Sequence, residues 1–124
     1  MLFRSIVLAL SAQSTAPAHP EGYELAVTTR GVRIQSPTPA GLFYGVQTLL
    51  QLLPPEIESQ TRRDAAFAMP CVHIVDYPRF AWRGLMLDVS RHFFTKEFVE
   101  QYIDRMARYK MNVFHWHQIG RAHV

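Results

Sequence analysis

Two histidines near the end of the chain have the residue type and the spacing that could bind a metal ion. His115 and His117 lie two residues apart, so on a strand both side chains would share one face. Two imidazoles on one face could coordinate a metal together with a carboxylate from another strand. No third ligand with metal-site spacing is visible, so the sequence favours hydrogen-bonded histidines near a strand end and predicts no metal site.

A second group of candidate side chains, Asp88, Arg91 and His92, follows an apolar segment. Asp88 could cap the loop after that segment or pair with Arg91. Alternatively, the group could face a substrate at the end of a strand. Spacing alone favours the structural role for Asp88.

Arg83 lies at the start of the same apolar segment. An arginine among apolar strand residues needs a partner, because burying an unpaired charge is costly. A structural carboxylate or the hydroxyl groups of a sugar could serve, and spacing does not decide between them. The neighbouring aromatic side chains could stack on a sugar, but we expect most of them in the core: Phe80, Trp82, Phe93, Phe94, Phe114 and Trp116.

Residues 76–117 predict the strand–helix–strand unit that positions these side chains. Apolar strands are predicted at 84–89 and 111–116, with an amphipathic helix over 96–109 between them. Two buried strands joined through a helix are the parallel crossover unit of α/β folds. In such folds the chemistry lies at the carboxyl ends of the strands.

The helix over 96–109 has signals at both of its ends. Thr95 is the predicted N-cap, Glu97 lies in the first turn, and Arg108 and Lys110 lie in the last, as the helix dipole favours. Its apolar stripe consists of Phe98, Val99, Tyr102, Ile103, Met106 and Tyr109.

The first part of the chain predicts a smaller α/β arrangement. Strands are indicated at 6–10, at 23–28 with 32–34 as a hairpin, and at 69–75. A helix over 40–53 contains two glycines about one turn apart, Gly41 and Gly45. Glycine costs about 1 kcal/mol relative to alanine inside a helix, so we expect these two to allow close packing on a sheet.

Composition is that of an ordinary soluble globular protein, with 48% hydrophobic and 19% charged residues among 124. The net charge of +3 comes from scattered basic residues, which do not form the stripe that nucleic-acid binding requires. Cys71 is the single cysteine, which excludes an internal disulfide, and we expect a buried, inert thiol. No apolar run is long enough to span a bilayer.

Both ends of the chain differ in character from the rest. The first residues could pass for a short signal peptide. Residues 1–5 and most of residues 118–124, however, resemble translated sequencing adapters, so we expect both ends, 1–5 and 118–124, to be artefacts. We therefore expect the authentic sequence to run over 6–117. Because the signal-peptide pattern depends on residues 1–5, it then gives no evidence for a cellular compartment. The codons of the encoding nucleotide sequence test this expectation.

Four segments together resemble one known family. PRFAWRGLMLDVSRHF (78–93) and IDRMARYKMNVFHWH (103–117) resemble the opening of the catalytic barrel in glycoside hydrolase family 20, the β-N-acetylhexosaminidases. EGYEL (21–25) and GLFYGVQTLLQLL (41–53) resemble the small α/β domain that precedes that barrel. The resemblance covers nearly all of residues 6–117.

The resemblance implies a small α/β domain over 6–75 and, over 76–117, the first strand–helix–strand unit of a (β/α)₈ barrel. It further implies a glycosidase that removes terminal N-acetylglucosamine or N-acetylgalactosamine from glycans or chitooligosaccharides, without a cofactor. The acetamido oxygen of the sugar attacks the anomeric carbon, so the enzyme supplies no nucleophile. The Asp–Glu pair that assists belongs to a later strand, so this chain contains no predicted catalytic residue.

One substrate-binding residue carries over from the family: the arginine of Trp-Arg-Gly, here Arg83, is expected to bind hydroxyls of the terminal sugar. The isolated chain is expected to be inactive and prone to aggregation, because a barrel needs about 200 residues or more and lone strands expose unpaired edges. Two alternatives are a metal-dependent barrel hydrolase that uses His115 and His117, and a sugar-binding α/β module without catalysis.

Overall fold

A computed structural model describes residues 5–11, 19–59 and 68–119. The chain divides into two compact units, Met1–Arg79 (unit 1) and Phe80–Val124 (unit 2), which are described separately. Of the predicted adapter-derived ends, only Ser5, Gln118 and Ile119 lie within the described residues.

Unit 1 is a four-stranded sheet with one helix. Its elements are β1 (Ile6–Leu10), β2 (Tyr23–Thr28), β3 (Gly31–Ser36), α1 (Pro39–Leu52), a 3-10 turn (Pro55–Glu58) and β4 (Val72–Asp76). The strand order is β1-β3-β2-β4. The predicted hairpin of β2 and β3 is confirmed as an antiparallel pair; β4 pairs antiparallel with β2, and β1 pairs parallel with β3.

The core of unit 1 lies between the sheet and α1. Side chains alternate between the two faces of a strand, so every second residue of β2 and β3 points to the helix. These residues are buried together with two from α1, and the cluster consists of Tyr23, Leu25, Val27, Val32, Ile34, Tyr44 and Leu49.

Two glycines bring α1 close to the sheet, as the sequence predicted. A Cβ on Gly45 would lie 2.5 Å from Cγ2 of Ile34, and one on Gly41 would collide with Ser36 Oγ and the carbonyl oxygen of Gly22. Thr38 is the N-cap of α1, and its side chain accepts a hydrogen bond from the N–H of Gly41. Close approach therefore explains why α1 tolerates two poor helix formers.

A buried tyrosine joins three elements of unit 1. The hydroxyl of Tyr23 donates to Oδ2 of Asp76 at 2.7 Å, and it lies 2.5 Å from Oγ1 of Thr48. Because its one hydrogen goes to the carboxylate, the Tyr23 hydroxyl accepts from Thr48. Burial raises the pKa of Tyr23 well above its ordinary value, and the adjacent Asp76 carboxylate adds to this effect.

Unit 2 contains the predicted crossover. β5 (Gly84–Asp88) and β6 (Val113–His117) pair in parallel, and α2 (Lys96–Arg108) connects them. Thr95 is confirmed as the N-cap, since its Oγ1 accepts from the N–H of Phe98. A continuous line of ring contacts runs from the start of α2 to β6 and consists of Phe94, Phe98, Tyr102, Phe114 and Trp116.

Two sequence-based expectations about burial are wrong. The thiol of Cys71 is exposed rather than buried, because this residue precedes β4 and lies outside the core. Of the six aromatic side chains expected in the core, four are exposed: Phe80, Trp82, Phe93 and Trp116. Within the described part of unit 2, the two strands and α2 provide too few neighbours to cover them.

Among the described residues, no helix combines the length and the apolar character that crossing a membrane requires.

Candidate functional site

The register of β5 and β6 places two polar side chains next to each other at the carboxyl ends of these strands. Asp88, the last residue of β5, is the partner of His117, the last residue of β6. The backbone N–H of Val89 donates to the carbonyl of His117 at 3.1 Å, which continues the pairing beyond the last residue of β5. The face that carries Asp88 and His117 also carries Met86 and His115, because side chains alternate along a strand.

The carboxylate of Asp88 organises the turn that follows β5. Its Oδ1 accepts from the N–H of Ser90 at 3.0 Å, from Ser90 Oγ at 2.7 Å and from the N–H of Arg91 at 3.2 Å. The same oxygen lies 3.1 Å from Nδ1 of His117, and Oδ2 lies 3.6 Å from Nε of Arg91. Asp88 therefore both caps the turn and pairs with Arg91.

These contacts keep Asp88 ionised. The hydrogen bond from the Ser90 hydroxyl is the main cause that lowers the pKa of Asp88 well below its ordinary value. Desolvation opposes this shift, while His117 and the backbone N–H groups of Arg91 and Ser90 lower the pKa further. The site thus has a carboxylate flanked by donors of three side chains, those of Ser90, Arg91 and His117.

The described geometry makes this end of unit 2 suited to a ligand rich in hydroxyl groups. The Arg91 side chain is 81% exposed and that of His117 is 48% exposed, and the Arg91 guanidinium retains N–H donors that face solvent. A guanidinium binds hydroxyl oxygens by donating N–H bonds, and the ionised Asp88, which also contacts Nδ1 of His117, fixes it in place.

Arg83, the residue predicted to bind substrate, lies at the opposite end of the strands. It immediately precedes β5, and its guanidinium donates from Nε to the carbonyl of Lys110 and from a terminal nitrogen to the carbonyl of Phe80, both at 2.7 Å. Neither a carboxylate nor a sugar is needed for these bonds. Because barrel enzymes bind substrates at the carboxyl ends of their strands, this position favours a structural role.

Asn112 reinforces that amino-terminal end, and sequence reasoning did not single it out. Its Oδ1 accepts from the N–H of Arg83 at 2.9 Å, and its Nδ2 donates to the carbonyl of Ala81 at 2.8 Å. Ser90 was also missed at the carboxyl end. The available signal for Ser90 was its position two residues after an aspartate that ends a strand, which is typical of a side chain that completes a capped turn.

The two histidines, His115 and His117, share a face as predicted. Among the described residues, no three histidine, cysteine, aspartate or glutamate side chains cluster closely enough to hold an ion. His117 is engaged with Asp88, in agreement with the favoured interpretation of a hydrogen-bonded histidine.

Comparison with known proteins assigns the family. Residues 4–77 match the model described as glycosyl hydrolase family 20, domain 2, and residues 80–120 match the model of the glycosyl hydrolase family 20 catalytic domain. The chain therefore belongs to glycosyl hydrolase family 20, and the resemblance stated from the sequence is confirmed.

Relatives of known sequence are consistent with this family. A beta-hexosaminidase of Porphyromonas gingivalis is 46% identical over 108 residues, which are 87% of this chain and 14% of that protein. A beta-N-acetylhexosaminidase of Cellulomonas fimi is 38% identical over 90% of this chain and 21% of its own length.

Solved structures of the family confirm the α/β fold class. The β-N-acetylhexosaminidase of Streptomyces coelicolor matches with a TM-score of 0.82 and 46% identity over 90% of this chain. The enzyme of Streptomyces plicatus matches with a TM-score of 0.80 and 47% identity over the same share. The chain spans 22% of the length of each of these structures.

Proposed function

We propose that this chain is part of a β-N-acetylhexosaminidase that removes terminal, non-reducing N-acetylhexosamines by substrate-assisted retaining catalysis. The observation that carries the proposal is the cluster of Asp88, Arg91 and His117 at the carboxyl ends of two parallel strands that match the family's catalytic domain. The names of three relatives, a beta-hexosaminidase, a beta-N-acetylhexosaminidase and an N,N'-diacetylchitobiase, support the same activity.

The proposed role of this cluster is to hold the sugar. In substrate-assisted catalysis the acetamido oxygen attacks the anomeric carbon, so the protein supplies an acid and a means of orienting the sugar. The guanidinium donors of Arg91 suit the second task, and the ionised Asp88 is already engaged with both Arg91 and His117. We assign no residue of this chain to the acid role.

Arg91 is the arginine that we propose to contact sugar hydroxyls. Its side chain is exposed at the carboxyl end of β5, whereas Arg83 is bonded to two backbone carbonyls at the amino end. The substrate-binding role derived for Arg83 from the resemblance stays a prediction. The two positions can be separated by kinetics.

The proposed substrates are glycans that end in N-acetylglucosamine or N-acetylgalactosamine, and chitooligosaccharides. A relative named N,N'-diacetylchitobiase, from Vibrio harveyi, is 39% identical over 77% of this chain, which supports the chitooligosaccharide class. We propose neither a cofactor nor a nucleic-acid partner.

For domain organisation we propose a small α/β domain over 6–75 and the first strand–helix–strand unit of the catalytic barrel over 76–117. The change from the domain 2 match, which ends at residue 77, to the catalytic match, which begins at residue 80, supports a boundary in this region. The two compact units, which divide after Arg79, support it as well.

The test uses the full-length protein that contains this sequence and two chromogenic substrates, nitrophenyl N-acetyl-β-glucosaminide and nitrophenyl β-glucoside. We expect cleavage of the first only, because the glucoside lacks the attacking acetamido group, and we expect the rate to persist in EDTA. Failure to cleave the first substrate would contradict the proposal. Loss of activity in EDTA would favour the metal-dependent alternative, and binding without turnover would favour the sugar-binding module.

A further inference from the structure

We infer that His117 is a positioning residue that acts through Asp88 to hold Arg91 in the orientation that binds the sugar. This inference rests on the proposed function and adds to it a role for a side chain on the second strand. The contacts link one side chain from the end of β6 to one from the turn after β5.

The first link is the contact between His117 and Asp88. Nδ1 of His117 lies 3.1 Å from Oδ1 of Asp88, at the last register pair of the two strands. Since an ionised carboxylate only accepts hydrogen bonds, Nδ1 carries the hydrogen in this contact, whether the ring is neutral or charged. Ser90 Oγ lies farther from Nδ1, at 3.4 Å, and its own hydrogen goes to Asp88.

The second link is the contact between Asp88 and Arg91. Oδ1 accepts the N–H of Arg91 and Oδ2 faces its Nε at 3.6 Å, so one carboxylate fixes both the backbone and the guanidinium of this residue. The Arg91 side chain is otherwise exposed. Its orientation therefore depends on where the Asp88 carboxylate points.

His117 contributes what the other donors to Asp88 cannot. Ser90 and Arg91 belong to the same turn as Asp88, so their hydrogen bonds move with that turn. Among the described contacts of the Asp88 carboxylate, that of His117 comes from the neighbouring strand and ties the turn to β6. Removing the contact between His117 and Asp88 should leave the turn formed but Arg91 less well oriented. We expect this loss to weaken substrate binding more than it slows the chemical step.

Three variants of the full-length protein test the role of the Nδ1 hydrogen. His117→Leu removes the donor, His117→Asn keeps an N–H near the position of Nδ1, and His117→Gln places its amide nitrogen nearer to Nε2. With nitrophenyl N-acetyl-β-glucosaminide we expect His117→Leu to raise KM about tenfold at nearly constant kcat, the change typical of losing one charge-assisted hydrogen bond. His117→Asn should restore most of the wild-type KM, and His117→Gln should not.

A double-mutant cycle tests whether His117 acts through Arg91. In an Arg91→Ala background the effect of His117→Leu on KM should vanish, because the group that His117 positions is gone. His73→Asn is the matched control, since this exposed histidine lies in unit 1 and pairs with Glu24 on the sheet surface. We expect it to leave both kinetic constants unchanged.

Three outcomes would overturn the inference. One is a KM for His117→Leu within about twofold of wild type, which is below the effect of a lost hydrogen bond. The second is an effect of His117→Leu that persists in the Arg91→Ala background, and the third is a KM that His117→Gln restores as well as His117→Asn does. Wild-type protein that does not cleave the substrate would instead contradict the proposed function. If His117→Leu does not fold, the comparison of the Asn and Gln variants decides the question.

Discussion

The Nε of Arg83 donates to the carbonyl oxygen of Lys110 at 2.7 Å, which joins the residue before β5 to the loop before β6. With Asn112, this bond closes the amino ends of the two parallel strands. Asp88 and His117 meet at the opposite ends. These two polar clusters therefore lie at opposite ends of one strand pair, and barrel enzymes use the carboxyl end for substrates.

Replacing Arg83 should reduce stability. Arg83→Ala removes donors from the carbonyls of Lys110 and Phe80, and we expect the free energy of unfolding to fall by about 1–3 kcal/mol. Urea unfolding of the full-length protein that contains this sequence measures this change. Arg105→Ala, at an exposed position in the last turn of α2, is the control and should cost far less. A stability equal to wild type for Arg83→Ala would contradict the structural role.

The contact between α1 and the sheet predicts an unusual response at Gly45. Alanine is the better helix former by about 1 kcal/mol, yet Gly45→Ala should destabilise the protein, because overpacking a core typically costs about 1–3 kcal/mol. The new Cβ would lie 2.5 Å from Ile34 Cγ2. Thermal unfolding should show a lower midpoint. The control is Ala40→Gly at an exposed site of the same helix, which reports the difference in helix propensity between alanine and glycine alone. A Gly45→Ala variant more stable than wild type would contradict the prediction and show that α1 can move away from the sheet.

The raised pKa of the Tyr23 hydroxyl predicts that the protein loses stability at alkaline pH. Its pKa is raised in the folded state, so above the ordinary tyrosine pKa of about 10 the unfolded chain releases this proton first. The unfolded state then binds fewer protons than the folded state, and stability falls as pH rises.

Tyr23→Phe removes that component of the pH dependence and also costs about 1–2 kcal/mol at neutral pH, since Asp76 and Thr48 lose their partner. Urea unfolding at pH values from neutral to above 10 measures both effects. Tyr109→Phe, at a position that is 74% exposed, should change neither. An unaltered alkaline slope for Tyr23→Phe would rule out Tyr23 as its origin.

Local patterns predicted the elements of both units well. The N-cap of α2, the glycines of α1 and the parallel crossover each depend on residues close in sequence or on periodicity, and the structure confirms them. Their physical causes, hydrogen bonds to helix ends and alternation of apolar side chains, act within a few residues and are visible in a single sequence.

Contacts between distant residues were not predictable in the same way. Tyr23 and Asp76 are 53 positions apart, and nothing in either segment indicates the other. For Asp88, both a cap and a pair with Arg91 were foreseen, but the contact with His117 depends on the register of two strands. The substrate-binding role of Arg83 came from a resemblance of motifs and stays a prediction, whereas its hydrogen bonds to the carbonyls of Lys110 and Phe80 were not predicted.

The most direct test of a sugar-binding site at the carboxyl ends of β5 and β6 is the KM of Arg91→Ala for nitrophenyl N-acetyl-β-glucosaminide. We expect this variant of the full-length protein to show a KM at least about tenfold above wild type, because a guanidinium–hydroxyl contact is lost. Arg83→Ala, assayed under conditions where it is folded, should keep the wild-type KM. A wild-type KM for Arg91→Ala together with a strongly raised KM for Arg83→Ala would contradict this site and restore the role predicted for Arg83.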